Sequence, residues 1–198
     1  MNIENGSDKP PELRSFVRIW RNFPDSWFDK GMKTEIRRLT SAEYLLATPA
    51  LVDLYIAAMD YPVNVRAQRI SSWRQEALSP GFTAIAAVAD DTIIGIAYGM
   101  LGQRERWWDQ QLRRALAMQG GPSKSEKELL QSYFEVAEIH VLPSYQGRGI
   151  GARLLRELLR LAPAKFALLS TPEVEHEDNG AFKLYRKFGF SDVARNYL

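Results

Sequence analysis

The spacing of apolar residues in the first part of the chain predicts one strand followed by a helix. Residues 33–39, KTEIRRL, have the pattern of a short strand. Residues 40–59 place apolar side chains at helical spacing, and Thr40 or Ser41 is suited to cap that helix. Because Pro49 lies inside the stretch and lacks a backbone N–H, we expect the helix to be interrupted or to restart there.

The middle of the chain predicts a helix, a hairpin and a further helix. Asn64 is expected to cap a helix that runs to about Leu78. Residues 82–101 are two apolar runs around an Asp-Asp turn, which is typical of an antiparallel hairpin. A helix over 103–118 follows, and the polar stretch 120–128 is expected to be a flexible loop.

The last third alternates between strand and helix patterns. The predicted elements are a strand over 133–142, a helix from Ile150 that stops at Pro163, a strand over 165–171, a helix over 179–188 that ends at Gly189, and a strand over 190–198. The order β-α-α-β-β-(α)-β-α-β-α-β predicts a mixed α/β fold whose sheet is at least partly antiparallel.

The N-terminal region differs from the rest. Residues 1–31 are expected to form an arm, and residues 32–198 a single domain. The arm carries aromatic side chains, which we expect to pack on the domain or on a second copy of the chain in a homodimer: Trp20, Phe23, Trp27 and Phe28.

Composition excludes several function classes. The 26 basic and 24 acidic residues give a formal charge of +2, too balanced to favour nucleic acid. The chain has no cysteine, which removes disulfides and thiol catalysis, and its two histidines make a zinc site improbable. No stretch approaches the roughly 18–20 apolar residues of a membrane span, and the N-terminus lacks the apolar core of a signal peptide. We therefore expect a soluble, cytoplasmic protein without a metal.

A glycine-rich loop between the strand over 133–142 and the next helix is the strongest chemical signal. Its sequence is HVLPSYQGRGIGARLLRELL. The N-terminus of a helix presents unpaired N–H groups and a partial positive charge. Gly147, Gly149 and Gly151 remove side chains that would hold a bulky anion away, and Arg148 adds a guanidinium suited to phosphate oxygens. The loop is thus predicted to bind a phosphate or pyrophosphate.

Two other phosphate motifs are excluded by their context. Gly151-Ala152-Arg153 does not supply the Gly-Lys-Ser/Thr that ends a Walker loop. Gly147-x-Gly149-x-x-Ala152 matches a dinucleotide fingerprint, but the following strand has no acidic residue at the position that would hold the ribose.

The stretch VLPSYQGRGIGARLL resembles the Gln/Arg-x-x-Gly-x-Gly/Ala signature of the GNAT superfamily of N-acetyltransferases, through Gln146, Gly149 and Gly151. Downstream, NGAFKLYRKFGF resembles the same family's last helix and the strand that follows it. The resemblance implies an α/β (α+β) fold, with a mixed, largely antiparallel twisted sheet flanked by helices and central strands that splay apart. It also implies acetyl-CoA as the co-substrate.

The resemblance also implies which residues bind the coenzyme. The pyrophosphate would lie on the backbone of Gln146, Gly147, Arg148, Gly149, Ile150 and Gly151. Backbone groups near Ile139 and Val141 would bind the thioester and the pantetheine arm, and Asn179 matches an asparagine that contacts the coenzyme.

Amine acetylation sets two further demands. An alkylamine with a pKa of ~10.4 must lose its proton before it attacks, which costs roughly 4 kcal/mol at pH 7. Glu138 is the first candidate for the base, and Glu135, His140 or a water remain alternatives. Tyr185 matches the tyrosine that commonly protonates the departing thiolate in the family. Because the chain has no cysteine, we expect direct transfer in a ternary complex.

The acceptor is expected to be a small-molecule or peptide amine. Residues 103–131 lengthen a connection that is short in simple family members, and are expected to form a wall of the acceptor pocket, a dimer contact or a solvated helix. The acidic stretch at 173–178 is expected either to attract a cationic amine or to be a solvated loop. Two alternative functions stay open: a binding module that senses acyl-CoA without turnover, and an acyltransferase that uses a longer acyl chain.

Overall fold

A computed structural model describes residues 13–19, 34–172 and 174–194, with side chains from Thr34 onward. The strands are β1 (Leu13–Ile19), β2 (Glu35–Leu39), β3 (Thr83–Ala89), β4 (Thr92–Leu101), β5 (Tyr133–Val141), β6 (Phe166–Pro172) and β7 (Ser191–Ala194). The helices are α1 (Ser41–Met59), α2 (Arg66–Glu76), α3 (Trp107–Met118), α4 (Lys124–Leu129), α5 (Ile150–Leu161) and α6 (Gly180–Lys187).

The strands form a single sheet in the order β2-β3-β4-β5-β6-β1-β7. Every pairing is antiparallel except that of β5 with β6. These two parallel strands pair only at their first residues, from Tyr133 with Phe166 to Glu135 with Leu168, and then separate. The largely antiparallel sheet with splayed central strands is thereby confirmed.

Helices cover both faces of the sheet. On one face, α5 and α6 pack against β3, β4, β5 and β6, with Leu154, Leu158 and Phe182 fully buried. On the other face, α1 and α2 cover the β2–β5 half of the sheet around Tyr44 and Trp73. Helix α3 covers the β5–β7 half of that same face. On this second face, β5 therefore lies beneath the junction between the pair α1 and α2 and the helix α3.

Helix α1 is continuous, so the predicted interruption at Pro49 is wrong. Its start is fixed by a capping box, in which the Thr40 hydroxyl accepts from the Glu43 N–H and the Glu43 carboxylate accepts from the Thr40 N–H. Tyr44, Thr48 and other buried side chains hold the helix on the sheet, and this packing offsets the hydrogen bond that Pro49 cannot make.

Helix α1 is also the one helix in the described ranges whose length and apolar composition would suit a membrane span. Part of it is buried against β4, β5 and α2, however, and the core helix of a globular protein meets the same criterion.

Three local predictions need correction. Asn64 does not cap α2; it lies within a 3-10 turn, Val63–Val65, from which the helix continues without a side-chain cap. The predicted loop over 120–128 contains helix α4, which starts with a capping box between Ser123 and Glu126. Part of the predicted arm forms strand β1, inserted between β6 and β7.

The four arm aromatics, Trp20, Phe23, Trp27 and Phe28, and residues 195–198 of the last predicted strand lie outside the described residues.

Candidate active site

The glycine loop delivers the chain from β5 to the first turn of α5. Gly147 and Gly149 have φ values of 74° and 79°, in the left-handed region that glycine adopts without strain. Gly149 is the N-cap of α5 and has no side-chain acceptor for the first-turn N–H groups. The loop therefore leaves the positive end of α5, a helix of 12 residues, without a side-chain cap and open to an anion.

The two polar side chains of the loop have different roles in the structure. The Gln146 amide donates to the carbonyl oxygen of Val141 at 3.0 Å and so ties the loop to the end of β5. The Arg148 guanidinium folds back, donating to the Ser144 carbonyl at 2.9 Å and lying 5.3 Å above the Tyr145 ring. Its predicted contact with pyrophosphate stays a prediction that requires the side chain to rotate.

A cavity of about 550 Å³ joins this loop to β5 and α6. It is lined by most of the predicted coenzyme-binding residues: Ile139, Val141, Gln146, Gly147, Gly149, Ile150, Gly151 and Asn179. Tyr185 lines the same cavity, whereas Arg148 and Glu138 do not. Two motifs that are well separated along the chain are thus brought to one site.

Tyr185 is buried in α6, and its ring packs edge-on against Phe190 at 5.9 Å. Burial raises the pKa of the Tyr185 hydroxyl above its usual range, and the negative charge of Glu138 raises it further. The hydroxyl consequently stays protonated at neutral pH, the state that a proton donor needs.

Asn179 is placed by its role at the start of α6. It is the N-cap of the helix, and its side-chain oxygen accepts from the Phe182 N–H at 2.8 Å. The same residue lines the cavity, so the cap brings its amide to the predicted coenzyme site.

A β-bulge in β5 aligns the two candidate base residues. Strand β4 pairs Tyr98 with Glu138 and Gly99 with Val136, which leaves Ala137 as the extra residue. Residues three apart on a regular strand point to opposite faces. Because of the bulge, Glu135 and Glu138 both face the helices α1 and α2, while Ile139 and Val141 face the cavity.

Glu138 sits at the junction above β5 with two partners. One carboxylate oxygen, Oε2, lies 2.6 Å from Nε2 of His140, and the other, Oε1, lies 3.9 Å from the Arg69 guanidinium on α2. His140 is 8% exposed and its ring contacts Tyr55 and Trp73. Of the candidate bases on β5, Glu138 has the most exposed side chain, at 20%.

Glu135 lies deeper, in a cluster with α2 and the segment before α3. Burial raises the pKa of Glu135 to about 7, against the lowering effect of the Arg106 guanidinium 3.9 Å away. Arg106 also reaches Glu76 at 3.5 Å, and Glu76 accepts from the Tyr98 hydroxyl at 2.6 Å. Burial raises the pKa of Glu76 as well.

The chain segment 103–131 therefore contributes to the candidate site through Arg106. Its helices pack on β5, β6 and β7, where Trp108 donates from its indole nitrogen to Ser170 at 2.9 Å. The segment covers the sheet next to the site; its predicted role as a wall of the acceptor pocket stays a prediction.

Two residues of the acidic stretch are paired with basic residues of α6. Glu177 accepts from Arg186, and Asp178 from Lys183 at 2.6 Å, while Glu173 lies outside the described residues. Within the described ranges, no cluster of three or more histidine, aspartate or glutamate side chains is arranged to hold a metal.

Several site residues had no recognisable signal in the sequence. Glu76, Arg69 and Arg106 reach the site from helices or loops far along the chain, and only the sheet topology brings them to β5. Lys183 and Lys187 line the cavity from α6. These two lysines lie six and two residues before Gly189. Their spacing of four residues indicates that both lie on one face of the helix, next to Tyr185.

Comparison with known proteins gives a matching family profile and a similar bacterial protein. Residues 48–190 match the acetyltransferase (GNAT) family profile. A GCN5-like protein acetyltransferase of Mycobacterium tuberculosis, Rv2170, is 38% identical over 166 residues, which cover 73% of this chain and 81% of the relative.

Two solved structures share the fold at low sequence identity. An aminoglycoside acetyltransferase from an uncultured soil metagenomic sample has a TM-score of 0.55 and 20% identity, over 84% of this chain and 95% of that one. A predicted acetyltransferase of Clostridium acetobutylicum with acetyl-CoA has a TM-score of 0.55 and 13% identity, over 81% of this chain and 91% of that one.

Proposed function

Since this chain belongs to the acetyltransferase (GNAT) family, we propose that it transfers an acetyl group from acetyl-CoA to a primary amine by direct attack in a ternary complex. The observation that carries the proposal is the cavity of about 550 Å³, in which the glycine loop, the free end of β5 and Tyr185 meet. None of the three alone would require an acyl-CoA ligand.

The residues present fit acetyl-CoA. The uncapped N-terminus of α5 supplies N–H donors and positive potential for the pyrophosphate. Where β5 separates from β6, the segment with Ile139 and Val141 stays paired with β4 but has a second edge that is not paired with β6, suited to the amides of a pantetheine arm. The bound thioester would supply the activated acetyl group.

Glu138 is the proposed general base. Its carboxylate faces the junction between α2 and α3 on the opposite face of β5 from the cavity, so the acceptor amine would enter there. Accepting a proton at this point lowers the cost of deprotonating the amine, which is roughly 4 kcal/mol at pH 7 for a pKa of ~10.4.

Tyr185 is the proposed general acid. Tyr185 lines the cavity, and its hydroxyl stays protonated at neutral pH because burial raises its pKa. A buried donor at this place suits protonation of the departing sulfur, whose intrinsic pKa is near 8.5. The chain has no cysteine to carry the acetyl group covalently, in keeping with direct transfer.

The acceptor is proposed to be a small-molecule or peptide amine that arrives as a cation. Three acidic side chains, Glu76, Glu135 and Glu138, face two arginines there. A cationic ligand at the junction would favour the charged forms of Glu76 and Glu135, whose pKa values burial raises. The relative from M. tuberculosis is named a protein acetyltransferase, and the metagenomic fold neighbour an aminoglycoside acetyltransferase. Both classes therefore belong in a first acceptor screen.

A thermal melt with acetyl-CoA tests the cofactor assignment, with NAD and ATP as controls. At about 100 times its Kd, a ligand stabilises the folded protein by ~2.7 kcal/mol, or roughly 5–10 °C for this chain length. A shift with acetyl-CoA alone supports the proposal. No shift in folded protein free of copurified CoA would refute it.

Free-thiol release then tests catalysis, using an N-terminal peptide, a lysine peptide and an aminoglycoside as acceptors. Turnover with any of them supports the acetyltransferase proposal. Binding of acetyl-CoA without turnover across the panel would favour the sensor alternative, and a faster rate with butyryl-CoA or octanoyl-CoA would favour the longer-chain alternative.

A further inference from the structure

We propose that His140 is a positioning residue that holds the carboxylate of Glu138 in place for the acceptor amine. The proposal rests on the function proposed above, in which Glu138 is the base. Its central observation is the 2.6 Å contact between Nε2 of His140 and Oε2 of Glu138. Because an ionised carboxylate only accepts hydrogen bonds, Nε2 carries the hydrogen and donates it.

The imidazole is itself fixed by its surroundings. Tyr55 on α1 meets the ring edge-on, with 4.9 Å between centroids and 75° between planes. Trp73 on α2 lies nearly parallel to it, at 6.4 Å and 16°. With 8% of the residue exposed, the ring has little room to rotate.

Without His140, Glu138 would be held only loosely. A glutamate has three rotatable side-chain bonds, so a single contact does not define where its carboxylate lies. The remaining partner, Arg69, is 3.9 Å away with a side chain 44% exposed, and exposed ion pairs of this kind hold geometry weakly. The rigid imidazole is thus the contact that sets the position of Oε2.

His140 lies two residues after Glu138 on β5, opposite Ile96 on β4, and therefore shares its face of the sheet. The cavity lined by Ile139 and Val141 is on the other face. A change at His140 is accordingly expected to leave acetyl-CoA binding intact while it slows the chemical step.

Two substitutions separate hydrogen bonding from packing. His140→Gln places an amide nitrogen at the distance of Nε2, and His140→Asn places one only at the distance of Nδ1. Both remove the imidazole from the same aromatic surroundings. We expect His140→Asn to lower kcat by about 10–100-fold with the KM for acetyl-CoA unchanged, as for a misplaced catalytic group, and His140→Gln to restore most of the rate.

A second set of variants combines each His140 substitution with Glu138→Gln. If His140 acts through Glu138, His140→Asn lowers kcat no further once the carboxylate is gone. His176→Asn is the matched control, because His176 is the chain's other histidine and is exposed. Thermal melts of every variant identify a loss of rate that comes only from unfolding.

Two kinetic results would overturn the proposal, and a third would contradict the proposed function on which it rests. Equal loss in His140→Gln and His140→Asn, persisting in the Glu138→Gln background, would make His140 the base itself. Unchanged kcat in folded His140→Asn would leave it a packing residue. Wild-type protein that binds acetyl-CoA but turns over no amine would instead contradict the proposed function.

A spectroscopic test does not need an acceptor. In proton NMR we expect one exchange-protected imidazole N–H signal in the wild type and in His176→Asn. The signal should vanish in both His140→Asn and Glu138→Ala. Its absence from the wild type, or its survival in Glu138→Ala, would show that Glu138 is not the partner of His140 and would overturn the proposal.

Discussion

Glu135 and Glu138 are two carboxylates on one face of one strand, but their surroundings differ. The bulge at Ala137 gives them a common face, but Glu135 is sealed beneath Arg106 and α2, while Glu138 meets His140 at the more open junction. A base must reach the acceptor, which favours Glu138. Glu135 is better suited to shape the electrostatic potential around the site.

The pKa of Glu135 predicts how stability depends on pH. Its folded-state pKa of about 7 lies above the ordinary value of 4.5, so between these values the folded protein keeps a proton that the unfolded chain has lost. The free energy of unfolding therefore falls as pH rises through this window, by about 3 kcal/mol at 1.36 kcal/mol per unit.

Glu135→Gln should remove that slope. Relative to wild type, the variant is expected to gain about 3 kcal/mol between pH 5 and pH 8, measured by urea unfolding at the two pH values. Glu105→Gln, at an exposed glutamate, is the control. Parallel pH dependence of wild type and Glu135→Gln would contradict the assignment.

Tyr185→Phe tests the proposed acid with little change in packing. Phenylalanine fills the same buried space, so we expect kcat to fall by about 100-fold while acetyl-CoA affinity changes little. Kinetics with thiol detection and calorimetry with acetyl-CoA measure the two quantities. Tyr145→Phe, at another tyrosine of the same cavity, should retain its rate. Full turnover of Tyr185→Phe across pH would exclude the acid role.

At the scale of elements, Asn179 joins a structural role to a proposed binding role. Asn179→Ser keeps a cap for α6 but removes the amide, whereas Asn179→Ala removes both. We expect only the alanine variant to lose stability, by about 1 kcal/mol, and both to bind acetyl-CoA more weakly. Melting and titration calorimetry distinguish these effects. Wild-type affinity in Asn179→Ser would leave capping as the residue's only function.

Elements with strong local patterns were predictable from the sequence. The hairpin of β3 and β4 and the amphipathic α5 match their expected positions, because alternation and helical spacing report directly on burial. Helix α4 was missed because the polar composition of residues 120–128 indicated a loop. Ser123 and Glu126 nevertheless have the spacing of a capping box, which marks the start of a helix.

Features set by tertiary contacts were not predictable in the same way. The continuity of α1 through Pro49 depends on side chains that pack against the sheet. The bulge at Ala137 is defined only by its register with β4. For the site, the glycine loop and Tyr185 were readable as motifs, whereas the contact of Glu138 with Arg69 depends on how α2 lies over β5.

At the scale of the whole molecule, β1 links the C-terminal strands. It pairs with β6 over seven residues, from Leu13 with Pro172 to Ile19 with Phe166, and its other edge pairs with β7. Strand β7 reaches the rest of the sheet through β1. The N-terminal segment is therefore an internal part of the sheet.

Deleting residues 2–19 should consequently destabilise the domain far more than deleting residues 2–12, which spares β1. The longer deletion leaves β6 with an open edge and β7 without its pairing strand. We expect a loss of several kcal/mol or insoluble protein, measured by urea unfolding of both deletion variants in parallel. Equal stability of the two deletions would contradict this role for β1.

The position of β1 also constrains the order of events during synthesis. Its partners in β6 are made roughly 150 residues later, which at about 5–20 residues per second means a delay of about 8–30 s on the ribosome. Through that interval β1 has no strand to pair with, and such long-range pairing slows folding. Closure of the sheet, with β7 docking against β1, is thus a late event that waits until β6 and β7 have emerged.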